Sequence, residues 1–185
     1  MKKSDIPNLI SFIRVLLIMP VVWTMLQHRY DVALALFVVA GLSDALDGYL
    51  ARKYHWGSHL GGWLDPLADK AMQVSAYITL TWLGWIPLWL LAAVIIRDLL
   101  IVCGGVYYYY RVERANAAPM LIGKINTLVQ ILLVIVILMH QGLFAFPPGV
   151  IDMLFFIVLA TTVLSGLDYV LTWGRKAVRI KRVQE

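Results

Sequence analysis

A single cysteine, Cys103, stands in the whole chain, and it lies in an apolar run. One thiol supports neither an internal disulfide framework nor a zinc constellation. Its expected place is buried packing, as for any small hydrophobe. Charge is scarce as well: 15% of the 185 residues are Asp, Glu, Lys or Arg, against 61% hydrophobic. No polar stretch is long enough for a separate soluble domain, and there is no internal repeat, low-complexity segment or nucleic-acid-binding motif. What is present is apolar sequence, with a mean hydropathy of +0.78. That balance excludes an ordinary soluble domain. It points to an all-α integral membrane protein built as one unit, residues 1–185.

A membrane-crossing helix needs about 20 predominantly apolar residues. Six segments qualify: 6–27, 32–51, 65–83, 87–110, 120–140 and 148–173. Pro7, Asn8 and Arg14 interrupt the first, and no small-residue cleavage motif follows it, so it reads as a retained helix. Lys2, Lys3, Arg52, Lys53, Arg111, Arg114 and the tail residues Arg175, Lys176, Arg179, Lys181 and Arg182 fall on one side of these spans. Only Arg29 falls on the other. The excess of Lys and Arg marks the cytoplasmic side. Both termini, the basic tail 174–185 and the connector 52–64 are therefore expected there, and an even number of spans agrees. Trp82, Trp85, Trp89 and the four tyrosines 107–110 read as interfacial belts. The net charge of +5 favours anionic lipid headgroups.

Against this background, four carboxylates stand out. Asp44 and Asp47 lie near the end of the second span, three residues apart, and Asp65 and Asp69 open the third, four apart. Each spacing keeps a pair on one helical face. Pro66 is tolerated if it lies in a first helical turn. Antiparallel spans joined by the connector 52–64 bring the four together at one cytoplasmic mouth. Ionisable groups in spans are costly and mostly functional. Helix capping would account for Asp65 but not for Asp44 and Asp47, which come late in a helix, where the dipole disfavours them. Four crowded carboxylates repel, and two divalent cations would neutralise them. An all-oxygen donor set suits Mg²⁺, Mn²⁺ or Ca²⁺. Paired metals suit phosphoryl transfer. Small residues at Gly48, Ala51 and Gly61 would admit a large group to the backbone or allow close helix packing, and Arg52 could hold a phosphate. His55 and His59 read as solvated connector residues, because hard cations prefer oxygen.

The order Asp44-x2-Asp47-Gly48-x2-Ala51-Arg52-x8-Gly61-x3-Asp65-x3-Asp69 resembles the signature of the CDP-alcohol phosphatidyltransferases, with every fixed position present. The resemblance implies a six-span homodimer whose active site opens to the cytoplasm. It implies that Asp44, Asp47, Asp65 and Asp69 bind two cations, Mg²⁺ or Mn²⁺. It further implies that Asp69 is the general base toward the acceptor hydroxyl, and that Gly48, Ala51, Arg52 and Gly61 line the cytidine diphosphate pocket. A multi-pass protein of a bacterial inner membrane is the expected setting.

The acceptor is less sharply marked. Ile6-Pro-Asn8 with Arg14, and Gly123-Lys-Ile-Asn-Thr127 with Gln130, resemble both the CMP-forming cardiolipin synthase branch and the phosphatidylglycerophosphate synthase branch. The glycerophosphate enzymes usually carry a second arginine eight residues after the one in the fourth span. Here Arg97 is followed at that distance by Gly105. The tail Trp173-Gly-Arg-Lys-Ala-Val178 and the stretch Leu64-Asp-Pro-Leu-Ala-Asp-Lys70 also resemble the cardiolipin branch. Phosphatidylglycerol is the favoured acceptor, with CDP-diacylglycerol as donor, and glycerol 3-phosphate is the alternative. Arg97, Lys124, Arg111 and Arg114 are candidates for an acceptor or lipid phosphate. For Arg97 and Lys124, which fall inside spans, an ion pair with a nearby aspartate and snorkelling to the interface are the plainer readings. The competing class is a carboxylate-lined cation transporter, which should carry inverted repeats or broken helices at mid-membrane. The sequence has no such repeat, and its aspartates sit toward one side.

Overall fold

The computed structural model describes the backbone of residues 5–54, 61–111, 121–147 and 149–184, and side chains within 12–43, 67–104, 121–147 and 149–172. Among the described residues there are six α-helices: α1 (Asp5–Leu26), α2 (Tyr30–Tyr54), α3 (Gly61–Trp82), α4 (Leu88–Arg111), α5 (Leu121–Gly142) and α6 (Val150–Gln184). Each segment read as a span falls on one helix. The ends differ from the expectation in a consistent way. α2 continues to Tyr54, α3 begins at Gly61, and α6 runs on through the basic tail to Gln184. Hydropathy marks where a bilayer would end. A helix ends where the backbone loses its preference, and Leu, Ala, Arg and Lys carry it on. α6 is 35 residues long, or about 52 Å, against a hydrocarbon core of about 30 Å.

Two compact units account for the packing. The first holds residues 1–86 with 134–146, and the second holds 87–133 with 147–185. In the first unit, α1 packs against both α2 and α3. Its core places Val21 and Met25 from α1, Ala33, Phe37 and Ala40 from α2, and Ala68, Met72, Ala76 and Leu80 from α3. These recur at three- and four-residue intervals, so each set is one stripe of its helix. The alanines let the backbones approach closely, which matters where lipid supplies no hydrophobic drive between helices. A tighter approach occurs at Gly142, near the end of α5. A Cβ there would lie 2.6 Å from the Asp31 nitrogen and 2.9 Å from the Tyr30 carbonyl carbon. Both are backbone atoms that cannot swing aside. Gly142→Ala is therefore expected to destabilise the protein by about 1–3 kcal/mol through overpacking, read as a lower thermal midpoint in detergent. Tyr30 is further tied by Trp85, whose Nε1 donates to its hydroxyl at 3.1 Å, and by His28 Nδ1 at 2.9 Å.

In the second unit, α4 packs on α6, and polar side chains join Leu90, Val94, Leu133 and Val158 in the core. On the first half of α5, Asn126 and Gln130 are buried, while Leu121, Ile125, Leu128 and Leu132 are exposed. On α6, Thr162 and Ser165 are buried, while Phe156, Val163, Leu167 and Val170 are exposed. Some polar groups thus face inward while many large apolar ones face outward, as expected of helices solvated by lipid. α5 and the Val150–Thr172 part of α6 are long and apolar enough to cross a membrane. Phe12–Leu26 in α1 and Tyr30–Ser43 in α2 are shorter apolar stretches. The outward apolar faces also correct the expectation for Cys103, which is exposed on α4. Burial of small hydrophobes is a rule for water-solvated cores, and lipid removes the reason for it.

Candidate active site

The four aspartates come from two helices that share a packing partner, α1. Asp44 and Asp47 lie in α2, and Asp65 and Asp69 lie in α3, so the helical backbone keeps each pair on one face. The side chains of Asp44, Asp47 and Asp65, and those of Arg52 and Ala51, lie outside the described residues, as do the surroundings of Gly48 and Gly61. Two local expectations change. α2 continues past Asp47 to Tyr54, so these carboxylates are not at its last turn. α3 starts at Gly61, so Asp65 is not its cap, and Pro66 is the sixth helical residue instead of standing in the first turn.

Asp69 is the aspartate whose surroundings are described. It follows buried Ala68 and precedes buried Met72 by one turn, so the root of its side chain sits at the edge of the packed stripe. Its carboxylate reaches outward, with 45% of the side chain exposed. Oδ1 accepts a hydrogen bond from Arg14 Nη1, which forms an ion pair between α3 and α1. Arg14 itself is 2% exposed and lies on the same stripe of α1 as Val21 and Met25. Next to Asp69, Lys70 Nζ donates to Gln73 Oε1 at 3.2 Å. For function, Arg14 was named in the sequence only with Ile6-Pro-Asn8, as part of the resemblance to both branches, and its place beside Asp69 was not foreseen. The available signal was a lone cation in an otherwise apolar helix. Among the described residues no three His, Cys, Asp or Glu side chains converge. The donor set still suits hard divalent cations. It is all carboxylate oxygen, it comes in two face-sharing pairs on helices packed to one neighbour, and its described member is half open instead of sealed in apolar packing.

The second unit carries the other candidates. Arg97 is buried and fully engaged within its unit. Nη1 pairs with Asp98 Oδ1 at 2.9 Å, and Nε and Nη2 donate to Ser165 Oγ at 3.2 and 2.6 Å. This matches the plainer reading of Arg97 as one half of an internal ion pair. The pair sits under Gly123, where a Cβ would come within 3.3 Å of Arg97 Nη2. Beside it runs a chain of buried bonds. Asn126 Oδ1 accepts from the hydroxyls of Thr161 at 3.0 Å and Thr162 at 2.9 Å, and Gln130 Nε2 donates to Thr162 Oγ1 at 3.3 Å. Lys124, one residue from Gly123, is exposed. The side chain of Arg111 and the whole of Arg114 lie outside the described residues, as do His55 and His59.

Comparison with known proteins gives the family of the chain. Residues 4–173 match the family model for CDP-alcohol phosphatidyltransferase. A CMP-forming cardiolipin synthase of Rattus norvegicus is 34% identical over 95% of this chain and 63% of its own length. The corresponding protein of Homo sapiens is 32% identical over the same shares. A CDP-diacylglycerol–glycerol-3-phosphate 3-phosphatidyltransferase of Bacillus subtilis is 33% identical over 72% of this chain and 69% of its own length. The chain thus spans somewhat under two thirds of the cardiolipin synthases it matches. With the family model covering nearly the whole chain, and with exposed apolar faces suited to the membrane in which that family is embedded, this protein belongs to the CDP-alcohol phosphatidyltransferase family.

Proposed function

We propose that this protein transfers a phosphatidyl group from CDP-diacylglycerol to the hydroxyl of phosphatidylglycerol, giving cardiolipin and CMP. The observation that carries the proposal is the ordered carboxylate motif, placed on two helices that pack against α1, with Asp69 held half open at the edge of the packing. In the reaction, the acceptor oxygen bonds to the phosphorus that bears the diacylglycerol. The bond from that phosphorus to the oxygen of the cytidylate breaks, and its electron pair leaves with CMP. Asp69 receives the hydroxyl proton at its carboxylate. The half-open setting gives Asp69 access to a substrate, and its anchored root limits its motion. Asp44, Asp47, Asp65 and Asp69 would hold two divalent cations, Mg²⁺ or Mn²⁺, which when bound offset the charge of the diphosphate and its leaving oxygen. Gly48, Ala51, Arg52 and Gly61 form the cytidine diphosphate side of the site.

For the acceptor, Gly105 stands where glycerol 3-phosphate enzymes usually carry an arginine, and the cardiolipin synthases match along 95% of the chain. Because Arg97 is already committed to Asp98 and Ser165, contact with a headgroup phosphate falls to Lys124, Arg111 and Arg114. The second reading, glycerol 3-phosphate as acceptor, is favoured by the Bacillus subtilis relative, which is named for that activity. The full topology belongs to the proposal as well. It has six spans, both termini and the site on the cytoplasmic side of a bacterial inner membrane, and two copies per active assembly.

A paired assay tests it. Purified protein receives CDP-diacylglycerol with Mn²⁺ or Mg²⁺ and either phosphatidylglycerol or glycerol 3-phosphate. Cardiolipin formed from the first, with CMP released and nothing formed from the second, is the expected result. Phosphatidylglycerophosphate from glycerol 3-phosphate would replace it with the second reading. Metal-dependent flux of ions without CMP release would favour a transporter.

A further inference from the structure

Arg14 is a charged group for which the reaction above has no direct use. It lies on the packed stripe of α1 and is buried almost completely, yet it reaches across to α3 and donates to Oδ1 of Asp69. A guanidinium on a packed apolar stripe is expensive to bury, and a well-fitted hydrophobic residue would serve packing at least as well. The pair is therefore a weak source of stability. What it does fix is geometry. A carboxylate rotates broadly about its last side-chain bond, because such torsions lack sharp minima. A hydrogen bond to one oxygen from a cation that packing holds in place sets that rotation, and so sets where the second oxygen is presented. Asp69 has both conditions: its root is anchored between Ala68 and Met72, and its head is half open.

We infer that Arg14 is a positioning residue, holding the Asp69 carboxylate in the orientation in which it receives the acceptor's proton. The role rests on the transfer reaction proposed above. Arg14 touches neither substrate in this scheme and acts through Asp69. A second consequence follows from charge. Arg14 is a cation beside a group that would ligate cations, so its loss removes repulsion toward them as well as order from the carboxylate.

The test compares Arg14→Met and Arg14→Lys with the unmodified protein in the paired assay, and adds two readouts that do not need turnover. With Arg14→Met, kcat should fall about 10- to 100-fold, the effect of a misdirected reacting group, while KM for CDP-diacylglycerol stays within about threefold. Arg14→Lys keeps the charge and should recover at least roughly tenfold of the lost kcat. Without substrate, the affinity of Arg14→Met for Mn²⁺, read by electron paramagnetic resonance of the free ion, should be equal or tighter. Its thermal midpoint should be nearly unchanged, because the Asp69 head is half exposed and water can take up the lost hydrogen bond. If the unmodified protein turns over and Arg14→Met matches its kcat, the inference fails alone. A fall in kcat together with a lower thermal midpoint and lost Mn²⁺ binding, with no recovery by Arg14→Lys, assigns Arg14 to fold maintenance and overturns it. No CMP release by the unmodified protein with either acceptor removes the transfer reaction itself, and the role of Arg14 with it.

Discussion

Asp69→Asn is expected to remove turnover and leave a folded protein. Asparagine has nearly the shape of aspartate and keeps an oxygen that can accept from Arg14, so the link between α3 and α1 survives in weakened form. What it cannot do is take a proton at neutral pH. Removing a general base slows a reaction by about 10²- to 10⁴-fold, and CMP release should fall by that factor. The cost in stability should stay near 1 kcal/mol, the scale of one altered hydrogen bond, because the head of Asp69 is half exposed and water can compensate. Cation binding should persist in part, since the amide oxygen remains a weak donor. The measurement is CMP release alongside the thermal midpoint. Near-normal release from Asp69→Asn would assign the proton to another group, and collapse of the midpoint would make Asp69 a structural residue first.

Asp44→Ala should act on the cations before it acts on the proton. It removes one of four carboxylates while leaving its face partner Asp47 on the same stretch of α2. Outer-shell changes at metal sites already cost 10- to 100-fold in affinity, so loss of a ligand should raise the Mg²⁺ or Mn²⁺ concentration for half-maximal activity by at least roughly tenfold. Saturating metal should then restore only part of kcat, because the remaining carboxylates no longer fix both ions. In the unmodified protein, chelation should abolish CMP release, and either ion should restore it. An unchanged metal titration for Asp44→Ala would count against a two-cation site built on these residues.

The contrast between these residues and Arg14 marks what was legible in the sequence. The carboxylates could be found because their spacing is local: three and four residues within a helix put side chains on one face whatever the rest of the fold does. The six helices were legible for the same reason, since a long apolar run is a local property. The ends of α2, α3 and α6 were not, because hydropathy reports the bilayer and not the backbone. Arg14 with Asp69, and Arg97 with Ser165, are tertiary pairs across 55 and 68 positions of sequence. Nothing in either neighbourhood names the other. The buried face of Asn126, Gln130, Thr162 and Ser165 was not read from the sequence, although these polar residues stand at helical intervals inside apolar spans. Cys103 went the other way, because a rule about watery surroundings was applied to an apolar one.

That polar face also bears on the order in which the protein is assembled. α5 and the first two thirds of α6 are each apolar enough to enter a bilayer as independent rods. Once there, neither gains from hiding its leucines, since neighbouring lipid tails solvate them as well as another helix would. Side-by-side docking then draws on close packing and on what lipid cannot satisfy, the Asn126, Thr161, Thr162 and Gln130 bonds. Such bonds are directional. They select one rotation of each rod about its own axis, and one depth of one rod relative to the other. The association becomes a keyed closure: a span inserted with a wrong azimuth finds no partner for its amides and stays free to turn until it does.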